Sequence, residues 1–477
     1  MNYVNSQYGI ALITPTTVDT SDPPGLGHIG WVTIGDRLRF VIALDRSYSM
    51  SAANKETLAK EGASLFVELC KQNVGESIAV VSFSNTAVSN FAMHDVTTSP
   101  DTKTAAINAI NAIGLENMTA LGDGLRQSLK EITGSGTVSP DASAVEAVVL
   151  LSDGVNNYGA ETPAAVLPDL RGRGVRVFTI GLGNPADPVY PLDESTLLDI
   201  SNQTGALYTH ALNAADLQTI YTTYAAEIRG MDVYPEAGGA LERGATREHK
   251  VIVDNFTKEE TFVLHWPSGA GAYQLQLRDP AGTVITPPAP GVENVVRRLH
   301  SFYRIRKPKP GTWTMIVKNI KGEGRISYTT QALALAPGLS CKVAPRQPFY
   351  KPGETAIIRA FVSAGGIPVA NALVSGTITG PDGTKAAVQL ADDGNWKAHG
   401  DEKANDGVYA TRFTSTQVRG TYQISLVIRN VDGITATPDE IDPRWKPQRI
   451  PPFVRAAKNS FSVGRLQVKP PQTEKQR

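Results

Sequence analysis

Only Cys70 and Cys341 occur in the 477 residues, the first on a predicted amphipathic helix and the second far downstream. Two cysteines so distant read as free thiols rather than a bridge, and they are too few for a zinc ribbon. The seven His residues include no His-Glu-x-x-His pattern, so zinc-protease chemistry is not implied. Isolated residues such as His94 and His265 read as strand or surface positions. A Gly-x-Ser-x-Gly nucleophile turn and a Gly-x-x-x-x-Gly-Lys-Ser/Thr phosphate loop are also missing. Net charge is lacking too: 46 basic residues balance 46 acidic ones, which removes any global attraction to nucleic acid or an anionic membrane. No apolar run reaches the roughly 18 to 20 residues that span a bilayer, so the chain reads as soluble. Met1 to Tyr8 shows no basic region ahead of an apolar core, hence no secretion signal. Two explanations stay open: a cytoplasmic protein, or a signal or upstream domain missing from this chain. Gly25-Leu26-Gly27-His28-Ile29-Gly30 has dinucleotide-loop spacing, but Pro23-Pro24 precede it and the strand-like Trp31-Val32-Thr33-Ile34 follows, so it is set aside.

What the chain does have is Phe40-Val41-Ile42-Ala43-Leu44 running into Asp45-Arg46-Ser47-Tyr48-Ser49. An unalternating apolar run predicts a strand buried on both faces of a parallel sheet. Helical periodicity from Ser51 to Gln72, through Leu58, Leu65, Phe66 and Leu69, places Asp45, Ser47 and Ser49 on a strand-to-helix turn, at the sheet edge where α/β folds keep ligands. Their hard oxygens suit a hard cation. Two further segments of the same kind are Asn117 to Leu125, a turn opening a helix, and Val148-Val149-Leu150-Leu151 ending in Ser152-Asp153-Gly154. The bland alternative makes Ser47 and Ser49 helix caps and Asp153 a turn former. Asp123 reads as favouring the N-terminus of its own helix.

These segments resemble the metal-ion-dependent adhesion site of von Willebrand factor A domains, Asp-x-Ser-x-Ser followed by a Thr and an Asp. The resemblance maps Asp45, Ser47, Ser49, Thr119 and Asp153 onto the five ligand positions. Hydroxyls with two carboxylates and no His or Cys fit Mg²⁺, with Mn²⁺ or Ca²⁺ as substitutes. A partner's Asp or Glu would complete the shell, which is how that family binds proteins. Tyr48 stands where Gly is frequent, and its bulk either narrows the approach or offers an aromatic contact.

Around the site, strands at Ser77–Phe83 and Val175–Gly181 alternate with helices near 104–113, 120–132, 162–172, 193–203 and 214–229. The expected architecture is an α/β doubly wound, Rossmann-like A domain over 35–230, after a Thr/Pro-rich extension over 1–34. Strands alone follow: Lys250–Asp254, Thr261–Trp266, Tyr273–Leu277 and Thr312–Val317, then Ala356–Val362, Gly420–Val427 and Phe453–Val463. They predict two all-β sandwich domains, 231–336 and an Ig-like or fibronectin-like 337–465 with a Pro-rich loop, ahead of a disordered tail at 466–477. Residues 434–477 carry nine Lys or Arg against four Asp or Glu, read as a solvated segment. In the last unit Asp392, Asp393, Asn395, Asp401, Asn405 and Asp406 cluster with Gly in a pattern that suits either a Ca²⁺ loop or ordinary hairpin turns.

The order of parts, with Ser152-Asp153-Gly154, Gly311-Thr312-Trp313 and Asn405-Asp406-Gly407-Val408-Tyr409, resembles the portion of calcium-activated chloride channel regulators that follows their protease domain, over about residues 12 to 465. The resulting expectation is a non-enzymatic adhesion protein that captures a partner's carboxylate through Mg²⁺, with the β units as stalk or second contact surface. It would be secreted or in the cell envelope. The alternative is a cytoplasmic assembly factor partnering an AAA+ ATPase; channel regulation and hydrolysis rank lower.

Overall fold

The computed structural model describes residues 37–464, apart from 72–74, 97–100, 135–140, 142, 186, 212–215, 268–270, 431–433 and 436–448. The extension over 1–34, most of the Pro-rich loop and the tail lie outside the described residues.

The first unit is built on a sheet of β1 (Arg37–Asp45), β2 (Glu76–Phe83), β3 (Ala87–Asp95), β4 (Ala144–Ser152), β5 (Arg176–Leu182) and β6 (Tyr208–Ala211), in the order β3-β2-β1-β4-β5-β6. All neighbours are parallel except the β2–β3 hairpin. Among the described residues five helices connect them, α1 (Lys55–Leu69), α2 (Asp101–Ala112), α3 (Leu121–Thr133), α4 (Pro163–Arg173) and α5 (Glu194–Gln203), and α6 (Leu217–Ile228) follows β6. Phe40 to Leu44 are buried because both faces of β1 are covered. Phe40, Ile42 and Leu44 face a core with α1 and α6, while Val41 and Ala43 face one with α3 and α4. Strand β3 was not expected. It is a half-exposed edge strand, so it lacks the apolar run that marks its neighbours.

Strands alone follow, as expected, and their two sandwiches share one long sheet. Strand Asp232–Val233, just after α6, pairs on one side with Ile326–Leu335 and on the other with Phe453–Val463, stitching the units into an eleven-stranded sheet. A three-stranded sheet (Ala272–Arg278, Gly311–Lys321, Thr246–Val253) and a five-stranded one centred on Ala356–Ala364 cover its two halves. One continuous apolar core runs beneath them, from Trp266 and Trp313 to Tyr422 and Phe461.

The α/β unit is docked on this β body through α1, α6 and the start of β2. Val263, Phe302 and Leu333 join the core beneath α1 and α6. Arg304 Nη2 donates to Leu69 O at 2.7 Å, and Lys71 pairs with Glu259 at 2.7 Å. Arg229, buried at the end of α6, forks onto Glu76 at 2.8 and 3.0 Å. Leu69, Glu76 and Arg229 lie at the edge where the parallel strands begin, so the edge where they end is left clear.

Candidate metal centre

At the C-terminal ends of β1 and β4 the chain collects oxygen donors. Asp45 Oδ1 accepts from Ser47 N at 2.8 Å, and its Oδ2 accepts from Ser152 Oγ at 2.6 Å. Asp153 Oδ1 accepts from Ser49 Oγ at 2.7 Å and from Ser47 Oγ at 3.4 Å, with the two hydroxyls 3.0 Å apart. Ser47 occupies the N-cap of the 3₁₀ turn Tyr48–Asn54 but makes no side-chain capping bond, so its hydroxyl serves the cluster rather than the turn.

Thr119 enters from the segment before α3. Its N–H donates to Asn157 Oδ1 at 2.9 Å, and its carbonyl accepts from Asn157 N at 3.1 Å. A Cβ on Gly154 would stand 3.4 Å from Thr119 Oγ1, which locates that hydroxyl beside the Asp153–Gly154 turn. The segment is fixed from the other side as well, where Arg46 pairs with Glu116 at 2.5 Å and Ser84 Oγ donates to Met118 O at 2.7 Å. All five donor residues are buried.

Further groups hold the donors in place. Ser152 orients Asp45, while Asn156 and Asn157 accept from the N–H groups of Gly122 and Thr119. Gly122 is needed where it is, because a Cβ there would fall 2.1 Å from Glu161 O. Asp123, expected to favour its own helix start, sits in the first turn of α3, but its carboxylate accepts from Ala160 N and Glu161 N at 3.0 and 2.8 Å and so holds the loop after β4.

Electrostatically the site is short of positive charge. Burial, and then the charge of Asp153, push the Asp45 carboxyl up to about 7 against hydrogen bonds from Ser152 and Ser47. Lys55 Nζ, 2.7 Å from Asp153 Oδ2, supplies one cation. Two buried carboxylates with three hydroxyls, and neither nitrogen nor sulfur donors, fit a hard divalent ion.

Exposed apolar side chains occur on the loops of this same edge. Tyr48 is 59% exposed after β1 and Tyr158 53% exposed after β4; Met118 before α3 and Val189 and Tyr190 after β5 are exposed as well.

Of the six residues singled out in the last β unit, Asp392, Asp401 and Asp406 come together. The other three serve the loop locally. Asp393 accepts from Asn395 N and contacts His399 Nδ1, Asn395 Oδ1 accepts from Ala398 N, and Asn405 holds a left-handed turn at φ 59°.

Residues 40–225 match the family model of the von Willebrand factor type A domain, and residues 366–436 match that of the conditioned medium factor second Ig-like domain. The chain therefore carries a von Willebrand factor type A domain, with Ig-like β structure behind it. It is homologous to the calcium-activated chloride channel regulators. Regulator 1 of Equus caballus is 24% identical over 424 residues, 86% of this chain and 43% of that protein, and regulator 1 of Homo sapiens is 24% identical over 441 residues, 90% and 44%. The chain thus spans less than half the length of these relatives. Among solved structures, proximal thread matrix protein 1 from the mussel byssus, with a zinc-occupied MIDAS motif, is matched at 21% identity over 43% of this chain and 49% of that one. At its TM-score of 0.33 the likeness carries no functional argument. No helix among the described residues is long and apolar enough to cross a membrane.

Proposed function

We propose that the A domain holds Mg²⁺ through Asp45, Ser47, Ser49, Thr119 and Asp153, and that the ion binds a partner protein by accepting an Asp or Glu carboxylate in place of a bound water. The observation that carries this is the pairing of an all-oxygen donor set with exposed aromatic residues on the same sheet edge. The ion would supply charge-directed specificity for a carboxylate. Tyr48, Tyr158 and Tyr190 would supply desolvated contact area, and Tyr is among the residues that dominate protein interfaces. The β body, docked on the opposite edge, leaves the site facing outward and acts as stalk or second contact surface. A secreted or cell-envelope location suits this arrangement.

The test is capture by the immobilised chain with Mg²⁺ and with EDTA. Asp45→Ala is expected to abolish Mg²⁺-dependent capture while circular dichroism stays that of the folded protein. Recovery of the same partners in both buffers would defeat the adhesion reading.

A further inference from the structure

We propose a second metal site, remote from the A domain, in which Asp392, Asp401 and Asp406 bind a calcium ion within the loop from residue 391 to residue 407. The loop joins strands Lys385–Leu390 and Val408–Phe413 without regular structure of its own for most of its course. Connections of this length inside a compact unit need an organising element. Each of the three aspartates offers a carboxylate oxygen within 4.8 Å of the other two. Oxygens this close can share one Ca²⁺, whose ligands stand at about 2.4 Å and so no more than about 4.8 Å from one another.

The backbone brings the carboxylates together. Asp392 accepts from Asp406 N at 3.2 Å and Gly407 N at 3.0 Å, which folds the end of the loop over its beginning. Asp401 accepts from Gly394 N at 2.5 Å through Oδ2. Gly407, at φ 79°, allows the close pass, since a Cβ there would fall 2.7 Å from Val362 O.

Asp401 is the independent sign of a ligand. It is 1% exposed, and its Oδ1 has no hydrogen-bond partner among the described residues. A buried carboxylate oxygen left unpaired is destabilising unless an ion occupies the space. Burial also lifts the carboxyls of Asp392 and Asp406, with Lys403 drawing the other way on Asp406. Three carboxylates on one irregular loop suit Ca²⁺, which takes six to eight oxygens in flexible geometry, better than Mg²⁺, which keeps its waters and demands an octahedron.

Calcium binding can be measured by equilibrium dialysis and calorimetry on the full chain, with the A-domain site disabled by Asp45→Ala. That chain is expected to bind one Ca²⁺ with a Kd of about 10⁻⁴ M or tighter. Asp406→Asn and Asp392→Asn, both partly exposed positions, are expected to weaken binding at least about tenfold. Terbium luminescence excited through Trp396, in the same loop, should fall with it. In the wild-type background the double variant should lose one calcium equivalent, so that misfolding of Asp45→Ala cannot mimic the result. No calcium bound at about 5 mM, above the range of extracellular calcium modules, or unchanged affinity in a folded Asp392→Asn/Asp406→Asn chain, would overturn the site.

Discussion

At the residue scale, Lys55 alters how the metal centre should behave. Its ammonium pairs with Asp153 Oδ2 at 2.7 Å, so a divalent ion bound by the same carboxylate has to share it with a tethered positive charge. A divalent ion and a unit charge about 4 Å apart repel by about 2 to 8 kcal/mol across the range of effective dielectric near a protein surface. Lys55→Ala is therefore expected to tighten Mg²⁺ binding by about tenfold and to lower the melting temperature in EDTA, where Asp153 loses its counter-charge. Calorimetric titration beside a melting curve reads both, and equal affinities for the two chains would show that Lys55 leaves the site when the ion arrives. The donors themselves were legible, because Asp45, Ser47 and Ser49 follow an apolar run and Asp153 ends another. Lys55, Asn156 and Asn157 were not, because each acts on a group distant in sequence and no local pattern marks it; Ser152 was visible in Ser152-Asp153-Gly154, but its bond to Asp45 was not. Tyr48 had two readings, and its exposure favours the aromatic contact over a narrowed approach.

At the element scale, antiparallel strands Glu259–His265 and His300–Arg306 set His265 opposite His300. Both are buried, and neither nitrogen of His300 finds a partner among the described residues. Burial first, then His265 and Arg297, hold the His300 imidazole down at about 3 from its usual 6.5. Above pH 6.5 neither the folded nor the unfolded chain protonates this group, and its contribution to stability is at its full value. As pH falls below 6.5 the unfolded chain takes up a proton that the folded chain refuses until about 3, so stability drops through that window. His300→Leu removes the group. The variant should match the wild type near pH 7 and exceed it by about 2 kcal/mol at pH 5, given about 1.4 kcal/mol per pH unit below the unfolded-state value. Urea midpoints measured at both pH values decide it, and a parallel acid loss in the two chains would assign the sensitivity elsewhere. His300–Arg306 was not among the expected strands, whereas its partner was readable as Thr261–Trp266. Strand β3 was not, since an edge strand half open to solvent carries neither a buried run nor a clean period.

At the scale of the whole molecule, the feature hidden from the sequence is the joint between the two β units. Each was readable as a sandwich, but strand pairing between residues more than two hundred apart leaves no local trace. Arg455 marks the joint. Its side chain is fully buried over the Tyr234 ring, 4.7 Å from the centroid, with Nε 2.9 Å from Asp232 Oδ2. Nη2 stands 2.6 Å from Asp254 Oδ2, an ion pair whose angle falls outside hydrogen-bond geometry. Asp232 and Asp254 belong to the first unit and Arg455 to the second, so removing the second unit strands two buried anions and bares the edge of Ile326–Leu335 to other chains. A chain ending at residue 336 is therefore expected to aggregate rather than elute as a folded monomer. Arg455→Met in the full chain should cost about 3 to 5 kcal/mol, the toll of breaking a buried pair on one side. Calorimetry should show the β units of the full chain melting together, since one sheet and one core run through both. A monomeric 1–336 chain whose A domain melts as in the full protein would instead make the second sandwich dispensable to the fold of the first unit.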